Sequence, residues 1–78
     1  LYVGHAASWD EIIFQGDVSA HNFLAFYVKG DRVPAVAGMN RDQEMAAVEE
    51  LMRHDRMPTP DHLRGGHVNI LELLRNPS

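Results

Sequence analysis

Residues 23 to 51, FLAFYVKGDRVPAVAGMNRDQEMAAVEEL, read as strand, tight turn, strand and helix with no spacer, and this unit restricts the fold more than any other stretch. Phe23, Ala25 and Tyr27 alternate with Leu24, Phe26 and Val28, so both faces of the first strand are apolar and it belongs inside a sheet. Lys29-Gly30-Asp31-Arg32 makes the turn: Gly30 supplies the positive φ of a two-residue hairpin loop, and Asp31 tolerates the neighbouring position. The chain returns antiparallel through Val33 to Met39. Asn40 is expected to close that strand and to cap the helix, accepting from the backbone N–H of Asp42 or Gln43, with Gln43 reaching back in a variant of the capping box.

The flanking residues extend this unit into an α+β domain. Asp10 to Asp17 carries Ile12, Ile13 and Phe14 and reads as a further strand, with residues 18 to 22 as its connection to the strand at 22 to 29. Pro34 has no N–H to give to a ladder, so the strand at 32 to 39 is expected to be locally at an edge, or bulged at Pro34. From Arg41 to about His54, Met45, Val48, Leu51 and Met52 form one helical stripe, with Ala46 and Ala47 allowing close approach. Glu49 and Arg53 make a solvent-side pair worth about 0.2 to 0.5 kcal/mol. Met57-Pro58-Thr59-Pro60 is a stiff connector. Thr59 or Asp61 starts a short helix through Leu63, Gly65-Gly66 breaks it, and Asn69 to Arg75 forms a last one. The expected fold is an antiparallel sheet of at least three strands, a hairpin meander, packed against one main helix with a short helical C-terminal tail. Its divisions are a lead-in segment at 1–9, the α+β unit at 10–57, and the proline-containing connector and tail at 58–78. Ile13, Leu24, Phe26, Val36, Val48, Leu51 and Met52 are expected to be buried, and Trp9 to enter the core at the start of its strand.

Size and charge narrow the range of functions. Seventy-eight residues suit one core, and a domain this small buries only about 60 to 65% of the surface of its unfolded chain, so it leans on a partner. The tail residues Val68, Ile70, Leu71, Leu73 and Leu74 are too apolar for a free terminus. Either the tail folds back or two chains cover one another as a homodimer, and the size of the domain favours the dimer. The net charge of −4 and the scatter of the seven Lys and Arg leave no stripe for nucleic acid. Arg53, His54 and Arg56 cluster at the end of the main helix, where cations complement the dipole; the rival reading is a dock for an acidic electron-transfer partner. The sequence has no cysteine, hence neither disulfide nor thiolate zinc chemistry. An apolar run of membrane-spanning length and a basic-then-apolar leader are both missing, so a cytoplasmic setting away from membranes is the default expectation.

No catalytic constellation is legible. His5, His21, His54, His62 and His67 never fall four apart on one helix, which speaks against a metal site. Asp10/Glu11 and Glu49/Glu50 are adjacent pairs, and adjacent residues diverge on a strand or a helix, so neither pair converges on one substrate atom. Ser8, Ser19 and Ser78 suit turns or a terminus. Gly4, Gly16, Gly30, Gly38, Gly65 and Gly66 are nowhere spaced as the G-x-G-x-x-G that cradles a pyrophosphate.

The letters F-x-AFY-x-KGD-x-V-x-AVA-x-MN-x-D, preceded by YVGHA and WDEIIFQGD, resemble the C-terminal domain of FAD-dependent pyridine nucleotide reductases. Within them the match is to the ferredoxin reductase and apoptosis-inducing-factor-like branch, over residues 2 to about 63. The resemblance implies a non-catalytic piece of a longer flavoprotein, beginning at Leu1 in mid-protein. Such a piece follows an FAD-binding and an NAD(P)H-binding domain, packs on the former, and walls the flavin site or forms subunit contacts. It implies FAD and NAD(P)H as cofactors of the whole protein, and a ferredoxin or Rieske-type iron–sulfur protein as electron acceptor. It also implies that Tyr2-Val3-Gly4-His5 corresponds to the aromatic segment near the flavin ring, which makes Tyr2 and His5 the candidate cofactor-lining residues. The alternatives are an autonomous protein-interaction or dimerisation module without a redox role, and a small metal-binding protein.

Overall fold

A computed structural model describes residues 2–66 and 68–75. Four strands, β1 (Tyr2–Gly4), β2 (Glu11–Asp17), β3 (Asn22–Lys29) and β4 (Arg32–Met39), form one antiparallel sheet in the order β1-β4-β3-β2. Helix α1 (Asp42–Arg53) packs across β4 and β1, and after the short α2 (Pro60–Arg64) the last helix, α3 (Ile70–Arg75), packs against α1. The expected α+β sheet-and-helix architecture is therefore present, with a fourth strand drawn from the residues ahead of Trp9.

The interior position of β3 follows from its two apolar faces. Leu24, Phe26 and Val28 point to the helices and are fully buried together with Val36, Met45, Val48 and Leu51. Truncating Phe26 or Leu24 to alanine would cost roughly 2 to 5 kcal/mol through lost contact and residual cavity. Ile13 and Met52, expected inside, are only half-buried. Ile13 lies on β2, which has a single neighbour strand, and Met52 lies on the flank of α1 beside the short β1, near Gly4. Ala47 is buried at the close approach of α1, whereas Ala46 faces out.

The β3–β4 turn has positive φ at Gly30 (62°) and not at Asp31, the pattern of a type II′ turn, whose twist matches the strands it joins. Asp10 fastens it: its carboxylate accepts from the Gly30 N–H at 2.8 Å and pairs with Lys29 at 3.5 Å. β1 pairs with β4 only over Ala35–Ala37, so Pro34 lies past the end of that ladder, at a local edge. The bulge is present as well. Between the pairs Tyr27↔Ala35 and Lys29↔Arg32 the register shifts, with one extra residue on β4 where Val33 and Pro34 lie. The Pro34 carbonyl, free to turn outward there, accepts from the His5 N–H at 3.2 Å.

The start of α1 differs from expectation. Asn40 does not cap it. Its φ is 58°, and its side-chain amide donates to the His21 carbonyl at 2.7 Å, so it latches the β2–β3 loop and cannot turn toward the helix. Arg41 occupies the N-cap position without a side-chain cap bond; its guanidinium reaches Asn22 Oδ1 and pairs with Glu44 at 2.6 Å. At α2 the Thr59 hydroxyl accepts from the His62 N–H, and Pro60 takes the first helical position, as its fixed φ favours. Asn69 Oδ1 accepts from the Glu72 N–H at the start of α3.

Candidate functional site

The helices cover one face of the sheet and leave the other open. On the open face stand Tyr2 of β1, Phe23 and Tyr27 of β3, Phe14 of β2 and Met39 of β4; their strand registers place them on the side opposite Leu24, Phe26 and Val28. Trp9 joins them. Tyr2 and Trp9 each meet the Tyr27 ring edge to face, with centroids 5.9 and 5.0 Å apart, and Phe14 meets Phe23 at 6.0 Å. Edge-to-face rings of this kind contribute about 0.5 to 1.5 kcal/mol each beyond their buried area. Trp9 is nonetheless 49% exposed, which corrects the expectation that it enters the core: it lies ahead of β2, outside the ladder, and leans on the uncovered side of Tyr27.

Tyr2 lies at the β1 end of this face and His5 just past the end of β1, and both are exposed. The Tyr2 hydroxyl accepts from the Ala6 N–H at 3.2 Å, which ties β1 to the residue after His5. The fold thus brings the two sequence-nominated residues into one exposed segment, anchored through the His5 N–H to Pro34. The surface of Phe14, Phe23, Tyr27 and Met39 has a sequence signal in the double-sided apolar alternation of residues 23 to 28, a pattern that burial inside a sheet explains equally well.

Other charged groups are engaged locally. Arg53 pairs with Glu49 at 3.9 Å and Glu50 at 3.0 Å, His54 contacts Glu50 at 2.9 Å, and Arg56 donates to the Leu73 carbonyl at 2.9 Å. These groups tie down the end of α1 and the tail, in keeping with a structural role for the cationic cluster. Glu11 meets Arg64, whose guanidinium is held above its ordinary pKa first by that hydrogen bond. Asp10 is held below the usual carboxylate range chiefly by the Gly30 N–H and then by Lys29, and Asp17 chiefly by the Ser19 hydroxyl and then by the Ala20 N–H. Asp10 and Glu11 therefore serve separate partners. Among the described residues no three His, Cys, Asp or Glu side chains are placed to hold a metal ion; His67 lies outside the described residues. A groove of about 450 Å³ beside the β3–β4 turn is lined by Arg32, Pro34, Met52, Asp55 and Met57, among others, and includes neither Tyr2 nor His5. No described helix is long and apolar enough to cross a membrane.

A four-stranded antiparallel sheet closed on one side by helices, with an aromatic open face, defines a small α+β domain. Its family is found by comparison: residues 1–74 match the family described as reductase C-terminal, and the chain belongs to it. Over 55 residues it is 44% identical to apoptosis-inducing factor 3 of Homo sapiens, an alignment covering 70% of this chain and 9% of that protein. Over 73 residues it is 36% identical to putidaredoxin reductase CamA of Pseudomonas putida, covering 92% of this chain and 17% of that protein. The chain thus spans less than a fifth of the length of either relative. No solved structure matches it.

Proposed function

We propose that this chain is the C-terminal domain of an FAD-dependent NAD(P)H oxidoreductase that delivers electrons to a ferredoxin-like iron–sulfur protein. The observation that carries the reading is the 36% identity to a putidaredoxin reductase across 92% of the chain, joined to the family match. FAD in the whole protein would supply hydride acceptance from NAD(P)H and onward electron transfer to the iron–sulfur acceptor, and Tyr2 and His5 are the residues of this domain that would line its ring. The residues here suit only the ring end of that cofactor. A pyrophosphate needs a glycine loop opening onto a helix N-terminus, whereas α1 opens with Met39-Asn40-Arg41 and carries Asp42 and Glu44 in its first turn. Two like charges there repel a phosphate. Tyr2 offers an exposed aromatic ring, and His5 an imidazole with one donor and one acceptor nitrogen when neutral, groups suited to lining an isoalloxazine or nicotinamide ring.

In this reading the domain itself performs no chemistry, and the dinucleotide sites precede it. The coding sequence upstream should contain two G-x-G-x-x-G fingerprints, each between a strand and a helix. The full-length protein should show flavin absorbance and reduce an iron–sulfur acceptor with NADH or NADPH. Tyr2→Ala and His5→Ala should shift the flavin spectrum or slow hydride transfer. A full-length protein without flavin would refute the reading, and unchanged spectra and kinetics in both variants would reduce Tyr2 and His5 to linker.

A further inference from the structure

We infer that the groove at the C-terminal end of α1 is a docking site for a segment of another protein that presents an arginine. The arginine stem lies on Pro34, Met52 and Met57, and its guanidinium meets Asp55 and Asp31 at the mouth. The site is on the helix side of the sheet, away from the aromatic face, and stands independently of the reductase reading.

The backbone at Asp55 gives the first reason. α1 ends in a Schellman motif: the Arg56 N–H donates to the Leu51 carbonyl at 2.8 Å and the Asp55 N–H to the Met52 carbonyl at 3.1 Å. Asp55 itself takes the left-handed conformation, φ 54°, at the position where glycine is the usual residue. A carboxylate there also faces the negative end of the helix dipole. Its ion pair with Arg32, at 3.2 Å, joins side chains that are 87 and 73% exposed, and pairs so exposed contribute little. Neither the helix end nor the ion pair accounts for an aspartate in this conformation. Backbone strain without a structural return points to a use of the side chain by a ligand.

The groove beside Asp55 supplies the second. It encloses about 450 Å³, and the Met52 and Met57 side chains on its floor are half-buried. Thioethers are unbranched and polarizable, so they adapt to whatever lies on them. At the mouth, Asp31 and Asp55 face a single cation, Arg32, and Asp31 makes no ion pair among the described residues. An apolar floor under a negative mouth is complementary to a cation on an apolar stem. Arginine fits both parts: its methylenes cover the floor, and its planar fork meets carboxylates in pairs, which an ammonium cannot do. Arg32 already makes the contact from the rim, donating through Nη2 to Asp55 Oδ1. Because that pair is exposed, an incoming guanidinium can exchange for it or share the carboxylate. An acidic segment would meet two carboxylates instead.

The test is a titration of the full-length protein, carbon-13 labelled at its methionine methyl groups, with the capped peptide acetyl-Leu-Arg-Leu-amide, followed by NMR. Met52→Leu and Met57→Leu assign the two signals. The expected result is a saturable shift of both, while the signal of Met45, which is 1% exposed, stays in place. The same peptide with glutamate for arginine should produce no shift, and Asp55→Asn should weaken binding of the arginine peptide several-fold. Asp55→Gly separates a structural role from a binding role. Glycine adopts a φ of 54° freely, so this variant should melt at a higher temperature than wild type and yet bind the arginine peptide several-fold more weakly. Three outcomes would overturn the inference: no saturable shift at millimolar peptide, an equal response to the glutamate peptide, or wild-type binding by Asp55→Gly. A lower melting temperature for Asp55→Gly would overturn it too, by giving the aspartate a structural reason to be there.

Discussion

At the residue scale, Asp10 shows how one exposed carboxylate can set a turn. Its folded pKa lies below the ordinary value, first because the Gly30 N–H binds the charged form and second because Lys29 is near. Such a group stabilises the fold at pH values above its unfolded pKa, and that contribution fades as the pH falls through the lower folded value. Asp10→Ala should therefore lower stability at neutral pH, and the gap between wild type and variant in denaturant midpoint should narrow once the pH drops below about 4. Asp17, shifted in the same direction, keeps some acid sensitivity in the variant. A gap that stays constant to pH 2 would show that the carboxylate charge is not what fastens the turn. Gly38 makes a different point. A Cβ there would sit 2.5 Å from Met45 Sδ and 2.7 Å from Met45 Cγ, inside the core. Gly38→Ala should cost about 1 to 3 kcal/mol by overpacking. The cost should shrink in a Met45→Ala background, as a double-mutant cycle on urea denaturation would reveal.

At the scale of elements, most of what the sequence offered was legible because it was local. The Gly30 turn, the Thr59 start of α2 and the apolar stripe of α1 each depend on neighbours within a few residues, and each forms within about a residue of the expected place. Asn40 departs from its local pattern for the opposite reason. A residue of helix-capping type just ahead of a helix satisfies the local pattern, but His21, nineteen positions away, offers a carbonyl that the amide nitrogen takes instead. Long-range partners leave no periodic trace. The same holds for β1, whose three residues become a strand only because the edge of β4 is there to pair with. Tyr2 and His5 could be nominated through family resemblance. That they share an exposed segment depends on the Tyr2–Ala6 and His5–Pro34 bonds, and nothing in the spacing declares those. The role assigned to Asn40 is checked by Asn40→Asp. A helix cap tolerates aspartate as well as asparagine. A donor to a carbonyl does not, since the carboxylate would face the His21 oxygen with no hydrogen to give. The variant should lose about 1 kcal/mol in a denaturation experiment, and unchanged stability would restore the capping role.

At the scale of the molecule, the two faces of the sheet divide the work. The apolar tail, expected either to fold back or to be covered by a second chain, folds back: Ile70 is buried, Val68, Leu71, Leu73 and Leu74 pack partly against the core, and Gln15 and Arg56 hold the Val68 and Leu73 carbonyls. That removes the tail as a reason for dimerisation. The division makes a contrast between two buried or exposed side chains of similar apolar character. Ile70→Ala removes a side chain from the helix-side core, and by the usual cost of such truncations should destabilise the domain by about 2 to 5 kcal/mol. Because a domain of this size loses roughly 4 to 8 °C of Tm per kcal/mol, the midpoint should fall by at least about 8 °C. Phe14→Ser alters only the open face and should leave the Tm of the domain expressed alone within a few degrees. In the full-length protein the same substitution should become costly if another part of the protein covers that face. Differential scanning calorimetry on both lengths of chain decides the matter: if Phe14→Ser is equally mild in the full-length protein, the aromatic face is not holding the domains together.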